Sequence, residues 1–269
     1  MEPYVIREPE GPALPVVASI PHAGTWLPPG YAKRLASDEI RTLPMTDWHL
    51  PLLFDFLPAL GVTVIAANVS RFVIDLNRPP DGVALYPGRF ETGLVPLESF
   101  DGAPVFADPP TDEDIAVARR EFYDPYHAAR WELLEGRSEA GRVIQLDLHS
   151  VTPAANRISG PLEQDIMLGD REGASCERWL TDTAETAYSE CGFDVTRNDP
   201  YKGGWITASC VDKPRVQALQ IEMNWAVYMD LRLPFADTVS APPFAEARER
   251  LRRVFTALLP HAVRCLREA

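Results

Sequence analysis

The stretch Arg142-Val-Ile-Gln-Leu-Asp-Leu-His-Ser150 decides how the chain is read. Val143 to Leu148 is short, mostly apolar and β-branched in part, the composition of a strand buried on both faces of a parallel sheet. Asp147, His149 and Ser150 stand where such a strand gives way to a loop. In an open α/β sheet, ligands collect in the crevice beyond the carboxyl ends of the strands. A histidine at that place serves as a metal ligand, a base or merely a helix cap. A second strand ends in the same manner, because Val16-Val-Ala-Ser-Ile20 runs into Pro21-His22-Ala-Gly-Thr25.

Working outward, Thr46 caps a helix of about a dozen residues, with Leu50, Leu53, Phe54, Leu57 and Leu60 at helical spacing. Asp47 and His49 fall in its first turn. Gly61 closes it, and Val62 to Val69 reads as a strand. From Ser70 to Pro79, Phe72, Ile74 and Leu76 alternate with Arg71, Val73, Asp75 and Asn77, which predicts an edge or half-buried strand. The glycine- and proline-rich connection that follows, to about residue 110, has a length associated with function. Thr111-Asp-Glu-Asp114 is a capping box opening a helix to about Gly136, split or kinked at Pro125. Beyond the His149 strand come a helix over 174–191, a strand at Phe193 to Thr196, a glycine turn at Lys202-Gly-Gly-Trp205 and a strand from Arg215 to Met223. The C-terminal helix, from about Phe244, turns Leu251, Val254, Phe255, Leu258 and Leu259 inward. Strands alternating with helices, without an internal repeat, predict one α/β sandwich, a single domain over residues 1–269.

The 269 residues suffice for a full hydrophobic core, and 46% hydrophobic with 24% charged residues is ordinary for a globular protein. A net charge of -13 argues against nucleic acid and anionic membranes, both of which demand a basic face. No apolar run approaches the roughly 20 residues of a membrane helix. The N-terminus lacks the basic and apolar regions of a secretory signal, so a cytoplasmic location is expected. Cys176, Cys191, Cys210 and Cys265 form no CxxC pair, which predicts reduced thiols and no cysteine zinc site. The pattern specifies no oligomeric state.

His127 and His261 lie within helical patterns and read as structural or exposed. His22, Asp47 and His149 have the composition of a catalytic zinc shell, two imidazoles and a carboxylate with a position left open. They come from three separate segments, and His49 is ambiguous. Gln220, Glu222 and Asn224 alternate with apolar residues and share one strand face. A partly buried Glu222 is a candidate general base with a raised pKa, or a structural partner for an arginine. Arg71, Arg78, Arg89 and Lys202 flank glycine- or proline-rich loops and suit recognition of a carboxylate. The Gly203-Gly204 backbone is freely approachable. There is no GxSxG elbow, no phosphate loop and no GxGxxG after a strand, which disfavours serine-hydrolase and nucleotide chemistry.

Taken in order, Ser19-Ile-Pro-His-Ala-Gly24, Thr46-Asp-Trp-His49, Ser70-Arg-Phe72, Asp75-Leu-Asn-Arg-Pro79, Asp147-Leu-His-Ser150, Leu168-Gly-Asp170, Tyr201-Lys-Gly-Gly204 and Gln220-Ile-Glu-Met-Asn224 form a series. That series resembles the N-formylglutamate amidohydrolase (deformylase) family of histidine breakdown, over about residues 15 to 230. The family is related to zinc carboxypeptidases. The resemblance therefore implies a phosphorylase/hydrolase-like three-layer α/β sandwich around a mixed, mostly parallel sheet. It implies one zinc ion on His22, His149 and Asp47, with His49 as the rival third ligand. Asn77 and Arg78 match the pair that binds the substrate carboxylate, and Glu222 matches the catalytic glutamate. The expected substrate is a small anionic N-acyl amino acid, N-formyl-L-glutamate first. Ser209-Cys210 stands where Tyr-Gly is expected and Gln217 where histidine is expected, departures that bear on specificity. The alternatives are a same-fold amidohydrolase for another N-acyl amino acid and a metal-free binding protein for acidic amino-acid derivatives.

Overall fold

Two nine-residue strands, buried along their whole length, lie side by side and form the spine of the molecule. The computed structural model describes residues 1–86, 88 and 90–268. Its seven strands are β1 (Tyr4–Arg7), β2 (Val16–Ile20), β3 (Thr63–Ala67), β4 (Val143–Val151), β5 (Ile166–Gly169), β6 (Val195–Arg197) and β7 (Val216–Asn224). They form one sheet in the order β1-β3-β2-β4-β7-β5-β6. The central pairs β3–β2, β2–β4 and β4–β7 are parallel, as is β5–β6, whereas β1 and β5 run antiparallel to β3 and β7. The sheet is mixed and mostly parallel, as expected.

The helices are α1 (Pro29–Arg34), α2 (Asp38–Arg41), α3 (Leu50–Leu53), α4 (Asp112–Ala118), α5 (Asp124–Arg137), α6 (Arg178–Glu190), α7 (Trp205–Ala208) and α8 (Pro242–Glu268). Alternation along the strands sends side chains to opposite faces and so makes two cores. Ile144, Leu146 and Leu148 pack with α3, α6 and α8, and the five inward apolar residues read from α8 are all buried there. The opposite face is covered by α1, α2, α4, α5 and α7 through Tyr31, Ile40, Ala118, Tyr126 and Ile206. The result is a three-layer sandwich. On this second face β4 carries Gln145, Asp147 and His149 in sequence, so polar groups replace apolar ones toward its carboxyl end.

Several elements differ from the sequence reading. β4 runs on to Val151, so His149 and Ser150 sit on the strand and not beyond it. The helix expected from Thr46 is only α3 and a short turn at Pro58–Leu60, because His49 adopts a left-handed φ of 62° and prolines 51 and 58 interrupt it. The stretch from Ser70 to Pro79 is a buried series of turns, not a strand. There the Ser70 hydroxyl and the Asp75 carboxylate accept the backbone N–H groups of Phe72 and Asn77, taking donors a sheet would have used. The capping box at Thr111 forms, and the predicted break near Pro125 is a wide turn at Arg119–Tyr123. β1 and β5 were not anticipated. Among the described residues no helix is long and apolar enough to cross a membrane.

Candidate metal centre

β2 and β4 are neighbours in parallel register, so the residues at and just after their carboxyl ends converge. His22 leaves β2 through a loop held close to β3; a methyl group at Gly24 would lie 2.2 Å from the Val69 carbonyl oxygen. The backbone N–H of Asp47 donates to the His22 carbonyl at 3.0 Å, which pins the loop before α3 against the same point. His22, Asp47 and His149 are each 3% exposed, and one ligand atom from each lies within 4.8 Å of the others. Asp47 Oδ2 is 3.8 Å from His22 Nδ1 and 3.1 Å from His149 Nδ1.

The far nitrogens are held from behind. His22 Nε2 lies 2.7 Å from Asp75 Oδ1, and Asp75 Oδ2 accepts from Arg71 at 2.6 Å. His149 Nε2 lies 3.1 Å from Asp147 Oδ2. With each Nε2 beside a carboxylate, each Nδ1 faces the shared space, an arrangement of outer carboxylates that orients metal-binding histidines. Burial pushes the His22 pKa down, and the nearby Arg71 charge adds to it. At His149, burial is outweighed by Asp147, Asp47 and Glu222, which hold the ring well above its usual value. Burial alone would raise Asp75, but Arg71 and His22 hold it well below the carboxylate range. The surplus of negative charge around His149 is what a divalent cation would neutralise. Two nitrogens, one oxygen and an open side fit such an ion.

His49 does not join this group. Its Nε2 lies 2.7 Å from the Phe235 carbonyl oxygen and its ring packs against Trp48 and Phe244. His127 donates to the Leu76 carbonyl and is structural, and His261 is exposed.

The cluster opens into a cleft of about 770 Å³, lined also by Arg71, Asn77, Arg78, Lys202, Gly203, Gly204 and Glu222. Glu222 pairs in register with His149 across the β4–β7 ladder, and burial pushes its carboxyl up to about 8. The Arg78 guanidinium is braced by the Thr92 carbonyl at 2.8 Å and hydroxyl at 3.0 Å. Lys202 pairs with Glu172. Gly204 is flattened against Asn77, where a methyl group would come within 2.3 Å of the amide nitrogen. Arg89 lies outside the described residues. The cleft also holds Gln220, Arg157 and Tyr201. Sequence reasoning gave these no role, although period-two alternation had already put Gln220 on the Glu222 face. Asp75 and Asp147 were likewise missed as supports of the histidines.

Comparisons with known proteins match most of the chain. The family model for N-formylglutamate amidohydrolase matches residues 14–229. The N-formylglutamate deformylase of Pseudomonas putida is 37% identical over 227 residues, covering 82% of this chain and 84% of the relative. That of Pseudomonas aeruginosa is 36% identical over 228 residues, covering 83% and 85%. The crystal structure of N-formylglutamate amidohydrolase from Ralstonia eutropha JMP134 superposes with a TM-score of 0.83 at 31% identity, over 100% of this chain and 99% of that one. With most of its length matched in both sequence and fold, the chain belongs to the N-formylglutamate amidohydrolase family.

Proposed function

We propose that this protein is a zinc-dependent amidohydrolase that converts N-formyl-L-glutamate to formate and L-glutamate, a step of histidine degradation, in the cytoplasm and with one catalytic domain over residues 1–269. The observation that carries the reading is the meeting of His22, Asp47 and His149 beside Glu222 in a cleft that also presents Arg71, Arg78 and Lys202, in a chain of this family. The donor set of two imidazoles and one carboxylate supports zinc. When bound there, the ion supplies Lewis acidity, acidifying water and polarising the formyl oxygen.

The chain's own groups do the rest. Glu222 accepts a proton from the attacking water as the water oxygen bonds to the formyl carbon. The C–N bond then breaks, and Glu222 returns that proton to the amine of the departing glutamate. Burial raises this carboxyl, which favours its holding the proton between the two halves of the transfer. Arg78 and Arg71, with Lys202 and Arg89, hold the substrate carboxylates, while Asn77 and the Gly203-Gly204 backbone approach it closely. Fixing an anionic substrate this way lowers the entropic part of the barrier.

The test is formate release from N-formyl-L-glutamate by purified protein, with bound metal quantified in the same sample. Wild type should carry about one zinc per chain and release formate, and His149→Ala should lose most of both. Full turnover by metal-free protein, or an active and fully metallated His149→Ala, would sink this reading.

A further inference from the structure

Gln220 and Glu222 alternate with the buried Leu219, Ile221 and Met223 on β7, so their side chains leave the same face of the strand. A side-chain amide has two ends of opposite polarity, an oxygen that only accepts and a nitrogen that only donates. The backbone N–H of Gly204 donates to Gln220 Oε1 at 2.7 Å. Because a backbone N–H has no other polarity, this contact fixes which way the amide faces. Gln220 Nε2 is thereby aimed at Glu222, and donates to Oε2 at 3.2 Å.

The anchor itself is held. Gly204 lies flat on Asn77, whose Oδ1 accepts from Ile206 N–H at 2.7 Å and whose Nδ2 is 3.1 Å from His149 Nε2. The amide of Gln220 is therefore oriented by backbone that is locked to the metal-centre residues.

We propose that Gln220 is a positioning residue for Glu222. It occupies Oε2 with a donor of fixed direction and leaves Oε1 as the oxygen that meets the water. The terminal torsion of a glutamate is broad, so without such a partner either oxygen could face the cleft. The inference rests on the reading of Glu222 as the base.

Gln220→Glu is nearly isosteric and separates two roles. It keeps an oxygen for Gly204 N–H but replaces the donor facing Glu222 with a second acceptor. The expected result is a fall in kcat of roughly 10- to 100-fold, the range for losing one hydrogen bond to a charged group. KM and zinc content should stay within about twofold of wild type on that basis. Gln220→Met, which adds no buried charge, should show the same split and covers the case in which Gln220→Glu fails to fold. Wild-type kcat in either folded variant would overturn the proposal, as would a rise in KM at unchanged kcat, which would make Gln220 a substrate contact. Glu222→Gln keeps the two readings apart. Normal turnover in that variant removes the base itself, whereas its loss alongside active Gln220 variants removes only the positioning role.

Discussion

At the scale of single residues, the centre depends on which of two neighbours turns inward. Asp47 and His49 stand at the start of α3, and on paper either completes the pair His22 and His149. The left-handed backbone at His49 swings its ring to the Phe235 carbonyl, and Asp47 is left facing both Nδ1 atoms. Asp47→Ala should therefore lose most of the bound zinc and the activity. His49→Ala should keep the zinc and cost about 1 kcal/mol of stability, the net worth of one hydrogen bond. Zinc analysis of the two variants decides, and the reverse pattern would reassign the third ligand. Both histidines were legible because each follows an apolar run. Asp75 and Asp147 were not, because a carboxylate behind an imidazole has no spacing rule that links it to a partner on another segment.

At the scale of elements, α5 carries a test of pH dependence. His127 is half-buried, donates to the Leu76 carbonyl at 2.9 Å and packs at a tilt against Tyr123, and desolvation pushes its pKa to about 3. The unfolded chain protonates the same ring near 6.5. Between these values the unfolded state binds more protons, so this contribution to stability is full above about pH 6.5 and drains as pH falls. His127→Gln cannot titrate and retains a donor for Leu76. In urea unfolding, the stability gap between wild type and His127→Gln should shift against wild type on going from pH 7.5 to 5. Parallel losses in the two proteins would assign the acid sensitivity elsewhere. The elements that followed a strong period, α8 and the central strands, were readable from sequence. The stretch from Ser70 to Pro79 was not, because its alternation is that of a strand while its polar side chains capture the local backbone donors.

At the scale of the whole molecule, the three candidate ligands come from the loop after β2, the loop before α3 and the end of β4, and they meet only in the folded chain. A cation bound there stabilises the fold by mass action, about 2.7 kcal/mol when free metal is 100 times its Kd. Chelation should thus lower Tm, restoring zinc should recover it, and His149→Ala should show neither change in a calorimetric scan. An unchanged Tm on verified zinc removal would mean that the three side chains do not share an ion. What the sequence alone determined was the α/β class, the central strands and the residues with the right chemistry at their ends. Those follow from hydrophobic period and side-chain type, which are local properties. Tertiary structure alone decided that Asp47 and not His49 faces the histidines, that Asp75 and Asp147 support them, and that Gly204 turns the Gln220 amide toward Glu222. These depend on the parallel register of β2, β4 and β7 and on one left-handed residue, and contacts between segments so far apart leave no trace in the spacing of either.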